Sequence, residues 1–149
     1  MAQCVRILTA CSDPGARNPS MRIIPTSVHG VLDYVVGLLL IVAPWVLGFA
    51  RGGAETWVPL GLGAGALVYS LVTSYEFGVL RLISMRTHLV LDAMSGLLLA
   101  ASPWLFGFHN HVYVPHVAFG LFEILAAVTT HPLPFAAWIH SSRPQAVSR

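Results

Sequence analysis

Lysine is absent from this chain, and charge of any kind is scarce: charged residues make up 9% of the 149 positions. Soluble domains carry about a quarter. A chain that is 56% hydrophobic therefore lacks the polar surface to cover a water-exposed globule, which points to a bilayer. The net charge of +2, with no basic patch, argues against a nucleic-acid partner. Cys4 and Cys11 are the only cysteines; with no C-x-x-C spacing they read as free thiols rather than as a metal or redox pair. P-loop, G-x-G-x-x-G, G-x-S-x-G and zinc-ribbon spacings are all missing, so no enzymatic activity is expected. Residues 1–20 hold arginines, Asp13 and Pro14 but no apolar signal-peptide core. They read as a disordered tail outside the fold, and Met21 opens a stretch that would itself serve as a start.

What the chain has instead is long apolar segments, at about 27–49, 56–75, 82–108 and 112–131. Each is near the ~20 residues that cross a ~30 Å hydrocarbon layer as a helix. Lipid offers the backbone no hydrogen bonds, so helices are expected and lone strands excluded. "ARGGAET" and "HNHVY" read as tight turns between antiparallel helices. The expected fold is an all-α membrane protein, with four transmembrane helices as two tandem helical hairpins. Its expected parts are a tail at 1–22, a first helix pair at 23–76, a connection at 77–86, a second pair at 87–132 and a tail at 133–149. The last, with Trp138 and Arg143, could lie along the interface. Seven arginines flank the helix ends on one side and only Arg51 falls on the other, which puts both termini in the cytoplasm.

The two pairs repeat each other. His29 and His88, Asp33 and Asp92, Gly37 and Gly96, Pro44-Trp45 and Pro103-Trp104, and Gly48-Phe49 and Gly107-Phe108 are all 59 positions apart. The shared pattern is H-x3-D-x3-G-x6-P-W-x2-G-F, too long for chance, so it reads as an internal duplication. The second helices match more loosely: "WVP" at 57–59 with "YVP" at 113–115, and "VTS" at 72–74 with "VTT" at 128–130. That alignment sets Leu67 opposite Glu123.

The duplicated P-W-x2-G-F, with "SPW" intact at Ser102-Pro103-Trp104, resembles the SPW-repeat family of small bacterial membrane proteins. The resemblance covers roughly residues 24–131. It implies a bacterial cytoplasmic membrane and two helix pairs, with the motif in the first helix of each, and carries no established activity. Ala43 stands where the first copy would have serine, which puts a hydroxyl role there in doubt.

Physical roles follow from the residue types. Trp45 and Trp104 are expected at headgroup level as anchors. Pro44 and Pro103 loosen the last turns, and Gly48 and Gly107 permit a turn. His29, Asp33 and Gly37 share one helix stripe, as do His88, Asp92 and Gly96. With Glu123 they could form one intramembrane polar layer of His29, Asp33, His88, Asp92 and Glu123, facing the bundle interior. Four readings compete for it. The favoured one is a hydrogen-bonded girdle that fixes helix register, with Thr26, Ser27 or Thr87 as caps. The others are a proton relay, metal or haem ligation, and acid–base catalysis. The favoured reading calls for no cofactor and no metal. It makes the chain a structural or accessory protein whose partners are the bilayer and a second copy or another membrane protein.

Smaller features complete the set. Gly61-x3-Gly65 offers a face for close packing inside the bundle. His109, His111 and His116 read as an outer-loop cluster, Glu55 as a loop residue, and Glu76 as able to pair with Arg81.

Overall fold

The structure, a computed structural model, describes residues 23–74 and 76–131; the expected tails at 1–22 and 133–149 lie outside the described residues. Four helices follow in order: α1 Thr26–Val46, α2 Ala54–Leu71, α3 Met85–Leu105 and α4 Val114–Thr129. Among the described residues the only extended pairing is two isolated bridges, Ile24 with Thr130 and Thr73 with Ile83.

Each helix is shorter than its apolar segment, for local reasons. Pro25 precedes α1 in an extended conformation and offers no side-chain cap. Ser84 caps α3 by accepting from the Thr87 amide at 3.2 Å. The expected cap residues Thr26, Ser27 and Thr87 therefore all sit inside helices. Glu55, expected in a loop, lies in the first turn of α2 and accepts from the Gly53 amide at 3.1 Å.

The P-W-x2-G-F strings terminate α1 and α3. Gly48 and Gly107 take φ of 71° and 74°, the left-handed conformation that glycine adopts without penalty. The Gly48 amide donates to Trp45 O at 3.2 Å and the Phe49 amide to Pro44 O at 2.9 Å. This pair of bonds is the Schellman closure, which satisfies carbonyls a helix end leaves bare. Ala50 N also reaches Pro44 O at 2.8 Å, and its counterpart His109 N reaches Pro103 O at 2.9 Å. Proline fits here because only its missing amide is lost, while its carbonyl serves the turn.

At the end away from these closures, the backbone bonds of one half repeat those of the other. After α2, Leu82 N and Ile83 N donate to Val72 O, and Ser74 N donates to Ile83 O. Before α1 and after α4, Ile23 N and Ile24 N donate to Thr129 O, and His131 N donates to Ile24 O. The covalent joint between the hairpins is thus reproduced without a covalent link where the chain enters and leaves the bundle. At the opposite end the two hairpin loops touch: Arg51 Nη1 donates to His111 Nδ1 at 3.0 Å. Both hairpins therefore run in the same direction.

Packing is heaviest within each hairpin, and glycine sets its distance. A Cβ added at Gly63 would lie 2.6 Å from Gly37 O, and one at Gly96 would lie 2.6 Å from Gly120 O. These contacts replace the expected Gly61-x3-Gly65 face: Gly61 and Gly65 point into open space, on the outer surface of α2. Gly63 matches Gly120 at an offset of 57, so the structural partner of Glu123 is Ala66, one residue from the Leu67 of the sequence alignment. Between the hairpins, Val36, Leu40 and Leu99 form the apolar centre, flanked by Leu62 and Phe119.

The outside of the bundle is apolar. Leu38, Val46, Leu97, Leu105, Leu121 and Leu125 are all exposed. Helices α1 and α3, at 21 residues each, are long and apolar enough to cross a membrane; α4 is apolar but spans 16. Trp45 and Trp104 are 58% and 56% exposed at the ends of α1 and α3. Both face outward rather than into the core.

Candidate functional site

Four-residue spacing places His29 above Asp33 on α1 and His88 above Asp92 on α3. Both stripes face inward, and the four side chains meet. One ligand atom from each, a histidine nitrogen or a carboxylate oxygen, lies within 4.8 Å of the other three. His29 and His88 are fully buried, and their rings meet edge to face with centroids 5.6 Å apart.

The shortest contacts cross between halves. His29 Nε2 lies 2.9 Å from Asp92 Oδ2 and 3.3 Å from Asp33 Oδ1. His88 Nε2 lies 3.0 Å from Asp33 Oδ2 and 3.3 Å from Asp92 Oδ2. Exchanging the halves maps each contact onto another, as an approximate twofold relation requires.

Helices α2 and α4 supply the outer ring of bonds. Thr130 lies 2.9 Å from His29 Nδ1, and Thr73 lies 2.8 Å from His88 Nδ1. Each hydroxyl gives its one proton to its own helix, Thr130 to Ala126 O and Thr73 to Tyr69 O, both at 2.6 Å. Each must therefore accept from the imidazole, so both histidines carry a proton on Nδ1. Both Nε2 atoms are then turned to the carboxylates, and each crossed contact needs one proton between its nitrogen and oxygen. The Tyr69 hydroxyl donates to Asp92 Oδ1 at 2.6 Å.

Glu123 stands beside this quartet without touching it. The Ser95 hydroxyl lies 3.2 Å from Glu123 Oε2 and 3.0 Å from the Asp92 carbonyl. Glu123 and Asp92 line one cavity of about 20 Å³ with Tyr69 and Ala66. That volume suits a water-sized occupant. A haem needs a pocket of roughly 300 Å³ or more, so the quartet as packed holds no macrocycle. Sequence reasoning missed Tyr69, Thr73, Thr130 and Ser95. The "VTS" and "VTT" echo was the one signal that pointed at the threonines.

The remaining motif residues gather at the opposite end. Phe49 and Phe108 both pack on His116, with centroids 5.3 and 4.9 Å away. His116 is buried and donates from Nε2 to Glu55 O at 3.1 Å, while His109 and His111 are exposed. The expected loop cluster of three histidines thus loses His116 to the core, because two phenylalanine faces and a carbonyl at a helix start enclose it. Its Nδ1 is buried with no hydrogen-bond partner among the described residues. The Ser102 hydroxyl donates to Leu99 O at 2.7 Å in its own helix. That bond serves no other element, so Ala43 can occupy the matching position in the first half. Glu76, expected to pair with Arg81, accepts from the Thr26 hydroxyl at 2.9 Å.

No curated protein and no solved structure matches the chain. The family model of the SPW repeat domain matches residues 27–130, the span that holds both stripes, both helix closures and, Thr26 apart, all four helices. The chain belongs to the SPW repeat domain family.

Proposed function

We propose that this chain is a small integral protein of a bacterial cytoplasmic membrane, with four spanning helices and both termini cytoplasmic, built by duplication of one helical hairpin and serving a structural or accessory role there. The observation that carries this reading is an inverted distribution of polarity. Thr26, His29, Thr73, His88, Asp92 and Thr130 are buried, while leucines, valines and tryptophans cover the outside. Water would select the reverse, since exposed apolar patches of this extent drive association. Lipid selects it directly, because ionisable groups in a bilayer must face one another. Arginine asymmetry supports the orientation. Helix α4, about 24 Å long at 1.5 Å per residue, fits by local thinning of the bilayer.

On this reading the quartet clasps the two hairpins, and the outer surface is left to lipid, a second copy or a membrane partner. Alkaline carbonate extraction of membranes tests it. The chain should stay in the pellet and enter solution only with detergent. Release by carbonate alone would contradict it. A second reading, a proton- or metal-linked role, is favoured by the convergence of both Nε2 atoms on two carboxylates.

A further inference from the structure

The quartet has the chemistry of a coordination site. Two imidazole Nε2 atoms and two carboxylates face one point from two helices, all within 4.8 Å of one another. Zinc-type ions take four such ligands at about 2.0–2.2 Å, which sets tetrahedral ligand atoms roughly 3.4 Å apart. The four nitrogen-to-oxygen separations already lie between 2.9 and 3.3 Å. An ion needs side-chain shifts that open these nitrogen–oxygen pairs slightly and draw any wider pair in from no more than 4.8 Å.

The second ring of bonds argues for the same use. A metal-bound histidine donates its other N–H to a fixed acceptor, which sets the ring's orientation. Thr130 and Thr73 are such acceptors, each held by a bond to its own helix. Tyr69 orients Asp92 in turn by donating its hydroxyl proton to Asp92 Oδ1. A girdle that only joined helices would need the crossed contacts, but it would not need both Nδ1 atoms anchored so that both Nε2 atoms point at one place.

Charge selects the ion. Two carboxylates balance a divalent cation, leaving a neutral centre that a low-dielectric interior tolerates. Imidazole ligands favour zinc, iron, cobalt, nickel or copper over magnesium and calcium. We propose that His29, Asp33, His88 and Asp92 form a binding site for one divalent transition-metal ion of the zinc class, bridging the two halves of the bundle. The ion takes the place of the two protons that bridge the histidine–aspartate contacts, and these leave to solvent. The cavity lined by Glu123 and Tyr69 is also lined by His29, Asp33 and Asp92 of the site. The site rests on the quartet's geometry, not on membrane placement, so release by carbonate would leave it standing.

Full-length chain is purified in detergent without a polyhistidine tag, stripped with chelator, and dialysed against Zn²⁺ or Co²⁺. Elemental analysis should find one zinc per chain retained through gel filtration. Co²⁺ should give the intense visible bands of a tetrahedral nitrogen–oxygen site. The Asp33→Asn, Asp92→Asn double variant keeps side-chain size and should lose the ion. The His109→Ala, His111→Ala double variant should keep it. No retained zinc in the wild-type chain would overturn the proposal. So would zinc lost with the loop histidines, or sulfur-to-cobalt charge transfer from Cys4 or Cys11. Full retention in the aspartate variant would do the same. The wild-type spectrum and the loop variant decide the matter even if the aspartate variant fails to fold.

Discussion

His29 sits one helical turn from Asp33, yet its Nε2 is nearer to Asp92 of the other hairpin, at 2.9 Å against 3.3 Å. His88 makes the mirror choice, reaching Asp33 at 3.0 Å. Each histidine therefore makes its shorter contact with the other half and its longer one, at 3.3 Å, within its own stripe.

Crossing has an energetic signature. Removing one member of a buried pair strands the other, at a cost of about 3–5 kcal/mol. In double-mutant cycles on unfolding, the His29–Asp92 coupling should exceed the His29–Asp33 coupling. Larger coupling within the helix than across the bundle would contradict the crossed arrangement.

Glycines 37, 63, 96 and 120 carry the interhelical approach. Gly63→Ala should destabilise the bundle by about 1–3 kcal/mol, because the new methyl meets the Gly37 carbonyl. Gly61→Ala and Gly65→Ala, which meet nothing within 4 Å, should be neutral or slightly stabilising. Thermal unfolding in detergent separates the two sets.

Gly48 and Gly107 act through backbone conformation alone, since an added Cβ would touch nothing at either. Alanine at either should cost roughly 1–2 kcal/mol from the left-handed φ. The two costs should add, as neither glycine has a neighbour to share. Denaturant midpoints of the single and double variants check this.

Trp45 and Trp104 occupy equivalent helix ends and face outward. Single-tryptophan variants in bilayers of brominated lipids should show both at the same shallow depth. Quenching of one near the surface and the other near the midplane would count against equivalence.

Much of this was legible in the sequence because its signals were periodic. Four apolar segments gave four helices, and the His-x3-Asp stripes gave the residues that meet. P-W-x2-G-F marked both helix ends, although the Schellman bonds and the packing of Phe49 and Phe108 on His116 needed coordinates. Which aspartate each histidine takes depends on how α1 approaches α3, and no spacing within one helix encodes that. Tyr69 and Ser95 lie in apolar segments without a repeat partner to mark them. Matching "WVP" to "YVP" sets the second helices one residue out, because turn residues there are less constrained than Gly63 and Gly120, where backbones nearly touch. Gly61-x3-Gly65 misled for a related reason: the spacing identifies a face, not the direction it points.

The central claim is that two like-oriented hairpins stand side by side across a membrane. Impermeant-maleimide labelling of single cysteines in intact cells tests it, with Cys4 and Cys11 replaced by serine. Arg51→Cys and Asn110→Cys, one in each hairpin loop, should both label from outside, and Val79→Cys should label only after the cells are opened. Labelling of the two loop sites from opposite sides would contradict the account.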